Sequence, residues 1–328
     1  MREVHVTPLN PEAFCRSIEI ALKNPPDPEG SIERIRKSLN RLSEGPLYVS
    51  PQGRTITFYT IVDGKQKYLS KKSKRIHSMA RRRYQAALLT ILQLTGSSRK
   101  RDIKRRAACI SRLQEYVTNC AKGGLDISSI VLTKAQHDWF TGKFRQKYIN
   151  PDSPFKTANG MPVRSKSERD VINSYDDFAV PIHYEEQMTI YVRNLVDNLE
   201  RTLVQNRLLQ GPLYGYDETG IHWNVPRELQ WMNARGSIWK TYDPPHGTLS
   251  LYNDIRGMLA DGSLFVHEHE GMMDDFIYRC NSSERSSILK YTGVVSRDNF
   301  IETYEQEIDT REKASSIIEC QVVPRLWF

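Results

Sequence analysis

The stretch from Leu249 to Asp275 constrains this chain most, because it reads as a β-hairpin with acids inside its strands. Leu249, Leu251 and Ile255 share one face of a period-2 pattern, and Leu264-Phe265-Val266 leads into His267-Glu268-His269-Glu270 as a second strand. Between them, Ala260-Asp261-Gly262 is a turn signal, since glycine reaches positive φ without steric cost. Asp and Glu are poor strand residues and costly to bury unpaired, so Asp254, Glu268 and Glu270 together suggest a cation. A three-residue loop makes paired residue numbers sum to 522 and sets Asp254 opposite Glu268, with β-carbons roughly 5 Å apart. A two-residue loop sets Asp254 opposite His269 instead. The three-residue loop is preferred, because it puts glycine at the left-handed last position. The competing reading is a solvated hairpin whose acids face water.

Charge is distributed unevenly. The chain of 328 residues carries a net +8, yet residues 65–106 hold fifteen Lys and Arg against the single acid Asp102. That window is +14, so the remainder is −6. Such asymmetry is the electrostatic footprint of a polyanion partner, usually nucleic acid. Ile76, Met79, Ala80, Tyr84, Ala87, Leu88 and Ile91 form the apolar stripe of one basic helix. Lys74, Arg75, Arg81, Arg82 and Arg83 belong to its cationic side, with Arg81 to Arg83 expected to point to solvent. A second helix opens with Arg101, Lys104 and Arg105 and offers Ile103, Ala107, Ile110, Leu113 and Val117 to a core. These eight cations are the candidate nucleic-acid contacts, because guanidinium forks match phosphate geometry.

The rest of the N-terminal part reads as a helix ending at Asn24-Pro25-Pro26, a linker, and a helix capped by Ser31. A hairpin follows, from Thr55–Val62 through Asp63-Gly64 into Lys65–Ser70. A loop-rich passage then leads to a domain boundary near residue 155, giving a basic, mainly helical region (1–155) and an α/β domain (156–328). In the second part, Ser165 and Glu168 match a capping box, which is a purely structural reason for Glu168. A strand of about ten residues follows from Ile182, then an insert at about 193–247 with Trp223, Trp231 and Trp239, which suit either a core or base stacking. The five cysteines are scattered without a C-x-x-C, against both a disulfide framework and a zinc knuckle. No run approaches the roughly 20 apolar residues of a membrane helix, so the expectation is a cytoplasmic protein with no membrane partner, a homo-oligomer being left open.

The order Arg164-Ser-Lys-Ser-Glu168, His183-Tyr-Glu-Glu186, Tyr252-Asn-Asp254 and Glu268-His-Glu-Gly-Met-Met-Asp-Asp275 resembles an uncharacterised bacterial family of predicted nucleases with the PD-(D/E)XK fold. The similarity covers roughly residues 157–305 and is most specific from Glu268 to Asp275. It implies a restriction-endonuclease-like mixed sheet flanked by helices, with Glu168, Asp254 and Glu268 converging on a divalent metal and His269 beside them. Asn253 replaces the family's proline, and Glu270 stands where the fold's lysine is expected, so that His269 or a lysine from elsewhere, such as Lys290, would have to assist. The long insert is a third departure.

The implied activity is metal-dependent hydrolysis of phosphodiester bonds, with DNA the expected polymer. Hard carboxylate oxygens suit Mg²⁺ or Mn²⁺. Asp254 and Glu268 would be direct ligands, Glu168 would hold a second ion or a coordinated water, and His269 could move protons. A zinc hydrolase built on His267 and His269 lacks an H-E-x-x-H and a third ligand. Two other readings stand beside the enzyme: a nucleic-acid-binding protein with a degenerate nuclease core, and an interaction protein whose basic residues serve solubility.

Overall fold

The computed structural model describes residues 8–328 except 43–44, 54, 206, 208–210, 225–247, 292–294 and 309. Trp231 and Trp239, and the side chains of Trp223 and Lys74, lie outside the described residues. Helix α1 (Pro11–Lys23) begins at Asn10, whose side chain accepts the Glu12 amide at 2.8 Å, and it buries Phe14, Ile18, Ala21 and Leu22. Helix α2 (Pro28–Leu39) starts earlier than Ser31 suggests. Asp27 is its cap and accepts the Gly30 amide at 2.9 Å, while Pro28 takes the first helical position. The Ser31 hydroxyl instead donates to the Asp27 carbonyl.

Strands β1 (Tyr48–Gln52), β2 (Thr55–Val62) and β3 (Lys65–Tyr68) form an antiparallel sheet, of which β1 is an addition to the expected hairpin. The β2–β3 turn places Asp63 and Gly64 at φ of 51° and 72°, the two left-handed positions a tight hairpin needs. Helices α3 (Lys74–Gln93) and α4 (Lys100–Lys122) pack together. The stripe expected on α4 is corrected at its start. Ile103 is 55% exposed and Ala107 is exposed, and burial is complete only from Leu113 to Cys120. The first basic residues of α4, Arg101, Lys104 and Arg105, therefore stand clear of the core, whereas Arg106 bonds the Leu22 carbonyl of α1. Short helices α5 (Ser128–Val131) and α6 (Lys134–Phe140) lead towards the second part.

There, helix α7 (Lys166–Asp177) precedes strand β4 (Ile182–Tyr191), helix α8 (Val192–Gln205) and a small hairpin, β5 (Tyr214–Asp217) with β6 (Gly220–Trp223). Strands β7 (Thr248–Met258) and β8 (Leu264–Glu270) follow, then helix α9 (Phe276–Tyr291), strand β9 (Phe300–Tyr304) and helices α10 (Arg311–Gln321) and α11 (Val323–Leu326). The main sheet has the order β4-β7-β8-β9. Its first three strands are antiparallel, and β9 runs parallel to β8 because α9 makes the crossover such a pair requires. The sheet is mixed, and the chain is α/β. Register follows the three-residue loop: Ile255 pairs with His267 and Met258 with Leu264, and the Leu259 amide donates to Ser263 at 2.8 Å.

β8 is buried on both faces, so successive side chains go to different packing layers. Phe265 lies with Tyr175 of α7, ring centroids 6.0 Å apart, whereas Val266 joins Ile288 and Leu289 of α9. One continuous apolar cluster runs across position 155, from Leu9 in the N-terminal part to Phe328. Trp327 closes it, edge-on to Phe14 at 4.9 Å and donating its indole N–H to Ser17 Oγ at 2.7 Å. Among the described residues no helix is long and apolar enough to cross a membrane.

Candidate active site

Helix α7 begins with a true capping box: Ser165 Oγ accepts the Glu168 amide at 3.1 Å, and Glu168 Oε2 accepts the amides of Ser165 and Arg164. The Tyr184 hydroxyl donates to the same oxygen at 2.6 Å. That leaves Oε1 free to face inward, 3.1 Å from Arg164 Nη2. The capping role of Glu168 therefore uses one oxygen and leaves the other facing Arg164. Tyr184 beside it is raised above its ordinary pKa by burial and by the Glu168 charge, so it stays a donor.

Oxygens of Glu168, Glu185 and Asp254 all lie within 4.8 Å of one another, and all three residues are buried. Glu185 was not expected among them. It falls between the pairs Tyr184–Ile255 and Glu186–Asn253, at the point where β4 leaves the β7 ladder, with φ at +52°. Its carbonyl accepts the Lys147 amide at 3.0 Å from outside the sheet. A left-handed glutamate inside a strand is strained, and such strain gathers at functional sites. Arg164 Nη2 touches all three carboxylates: Glu168, Glu185, and Asp254 Oδ1 at 3.0 Å. Asp254 Oδ2 accepts the His269 amide at 2.9 Å.

The electrostatics follow from burial. Burial pushes Glu185 up to about 7, against the pull of Arg164. Asp254 is likewise raised by burial, opposed by Arg285, the His269 amide and Arg164. Burial works against the Arg164 charge, but Glu168, Glu185 and Asp254 outweigh it and hold the guanidinium above its ordinary value. Three carboxylates around one guanidinium leave two negative charges unbalanced when all are ionised.

Glu268 neighbours Asp254, as the register predicts, but lies outside the group of three. Asn253 Nδ2 donates to its Oε1 at 3.1 Å, and Arg285 of α9 lies 3.0 Å from its Oε2. Arg285 also lies 3.4 Å from Glu270. Burial and the neighbouring Asp254 push Glu268 well above its ordinary pKa. The ring of His269 turns to β9 and its end, with Nδ1 3.1 Å from Thr303 Oγ1 and Nε2 3.1 Å from Glu305 Oε2. Glu305 also accepts the Ser167 hydroxyl at 2.6 Å. His267 is held neutral by burial, down at about 3, between Tyr175 Oη at 2.9 Å and Thr303 Oγ1 at 2.8 Å. It is a packing link between α7 and β9. Lys290 is bound to Glu302 at 3.1 Å.

A cavity of about 490 Å³ opens over this cluster. Arg164, Lys166, Glu168, Asp254, His269 and Arg285 line it. Arg164 and Lys166 belong to the motif that suggested Glu168, yet only the fold shows them sharing its cavity.

The cationic helices also differ from expectation. Arg81 Nε donates to the Ser129 carbonyl at 2.8 Å, Arg82 to Leu39 at 2.8 Å, and Arg83 to Leu47 at 2.6 Å. These three half-buried guanidinia tie loops and helix ends to α3 where solvent exposure was expected. Carbonyls at a helix end lack intrahelical donors, which is why a nearby arginine is drawn to them. Arg75, Arg101, Lys104 and Arg105 are exposed. No family model, curated protein or solved structure matches this chain.

Proposed function

We propose that the protein is a metal-dependent nuclease whose metal is held by Glu168, Glu185 and Asp254. The observation carrying this reading is the convergence of three buried carboxylates, two of which, Glu168 and Asp254, line a cavity that also presents Arg164 and Lys166. The donor set fits Mg²⁺ or Mn²⁺, since all three ligands are hard carboxylate oxygens. Such an ion, when bound, supplies Lewis acidity, lowering the pKa of water and offsetting charge on phosphate oxygens. The mixed sheet flanked by helices supports a restriction-endonuclease-like fold.

The remaining groups have separable tasks. Tyr184 and the two amides at the start of α7 fix the Glu168 carboxylate. The His269 amide fixes Asp254, and the His269–Glu305 pair borders the cavity as the group able to take or give a proton. Arg164 and Lys166 would meet the phosphate, and the exposed Arg75, Arg101, Lys104 and Arg105 would hold the flanking backbone. A second reading, a binding protein with a degenerate core, is favoured by Arg164 already occupying the centre of the acids and by Arg285 pairing with Glu268. The test is cleavage of labelled single- and double-stranded DNA and RNA with Mg²⁺, with Mn²⁺ and with chelator, beside calorimetric metal titration. Metal binding with cleavage supports the nuclease. Nucleic-acid binding with neither metal uptake nor cleavage favours the second reading.

A further inference from the structure

We infer that Tyr48, Tyr59 and Tyr68 form a stacking platform for the unpaired bases of a single-stranded nucleic acid, with Arg112 of the adjoining α3–α4 groove for the phosphates. The inference rests on the nucleic-acid reading above and names the form of the polymer. Register produces the platform: Tyr48 pairs with Tyr59 and Tyr59 with Tyr68, so the three rings line one face in a row across the strands. Tyr48 and Tyr59 are 5.2 Å apart and nearly parallel at 14°, and Tyr59 and Tyr68 are 6.3 Å apart. The opposite face is the one committed to the core, through Phe58 and Thr60. Tyr68, on the edge strand, is 63% exposed, and Ile61 on the tyrosine side is 47% exposed.

The row ends at cations. Arg83 lies 5.1 Å over the Tyr48 ring and 4.9 Å over Tyr116, linking the sheet to the α3–α4 groove. That groove, of about 220 Å³, is lined by Arg83, Cys109, Arg112 and Tyr116. Arg101, Arg105 and Arg112 are exposed and fall at i, i+4 and i+11 on α4, one side of the helix. Aromatic faces and a basic track are the two components that bind single strands. The +14 balance of residues 65–106 selects a polyanion as occupant. In a duplex the base faces are covered by their neighbours, so only splayed bases can use such a platform.

The experiment is fluorescence anisotropy with labelled oligo(dT), oligo(U) and a DNA duplex of equal length, without divalent metal. Wild type is compared with Tyr68→Leu, Tyr68→Phe and Arg112→Ala, each checked by circular dichroism and thermal melting. Tyr68→Leu should weaken single-strand binding by about five-fold or more. Tyr68→Phe, which keeps the ring, should stay within about two-fold, and duplex binding should not change. Arg112→Ala should lower the salt slope by about 0.7 on the single strand. Equal binding of single strands by Tyr68→Leu and wild type would overturn the platform and leave the nuclease reading intact. A wild type that binds oligo(dT) through Tyr68 yet cleaves nothing with Mg²⁺ or Mn²⁺ would keep the platform and remove the nuclease.

Discussion

Glu185 stands across from Asp254 at a break in the β4–β7 pairing, and both carboxylates reach the Arg164 guanidinium. The left-handed backbone at Glu185 takes its residue out of the ladder, and Glu168 at the start of α7 completes the group. Sequence spacing on the hairpin suggested Glu268 for this place, and the fold puts Glu268 against Arg285.

The ligand assignment can be tested by neutral substitutions of equal size. Glu185→Gln and Asp254→Asn should each lose divalent-metal binding and reduce cleavage by more than the about 10–100-fold that loss of a ligand's supporting partner costs. Binding to the same nucleic acid without metal should persist. Glu268→Gln should retain metal uptake in a calorimetric titration. A Glu268→Gln protein as metal-deficient as Glu185→Gln would return Glu268 to the ligand set.

A pH dependence follows from Glu185. Its folded value of about 7 lies above the unfolded value of about 4.3. The folded state therefore binds this proton more tightly. Its contribution to stability is fully present below about pH 4.3 and is lost as pH rises through about 7. In chelator, the urea midpoint of wild type relative to Glu185→Gln should rise as pH falls from 8 to 5. A pH-independent difference would show that Glu185 is ionised throughout.

The arginines of α3 and α4 should separate by assay. Replacing Arg81, Arg82 and Arg83 with alanine removes four guanidinium-to-carbonyl bonds and should destabilise the fold by at least about 2 kcal/mol in urea denaturation. Replacing the exposed Arg101, Lys104 and Arg105 should leave stability nearly unchanged. It should flatten the log–log salt slope on duplex DNA by up to about 2.7. An unchanged slope in that second variant would move the binding surface elsewhere.

The C-terminus closes the core. Trp327→Ala should cost about 3–5 kcal/mol, because it empties the site beside Phe14 and leaves the Ser17 hydroxyl without its donor. Chemical denaturation measures this, and a variant as stable as wild type would show that α1 does not depend on the C-terminal residues.

Local chemistry was legible in the residues themselves. The capping box at Ser165–Glu168, the Asp63-Gly64 turn, the ten-residue strand from Ile182 and the 522 register of β7 with β8 each depend on neighbours within a few positions. Short-range rules of turn and cap geometry settle such features. Asp254 was likewise marked as a candidate by an acid sitting where acids are costly, and Glu168 by the resemblance of its motif.

Tertiary structure decided what those rules do not reach. A capping glutamate has two oxygens, and only the packing of Tyr184 and Arg164 shows that the second one faces a cluster. The positive φ of Glu185 depends on the Lys147 segment pairing from outside the sheet, nearly forty residues away in sequence. The arginines of α3 look like a solvated face by periodicity, but carbonyls from distant loops claim them. Three tyrosines eleven and nine residues apart become one row only when β1 joins the hairpin. Periodicity reports which side of an element is apolar, whereas charge partners and cavities arise from elements brought together by the shared core.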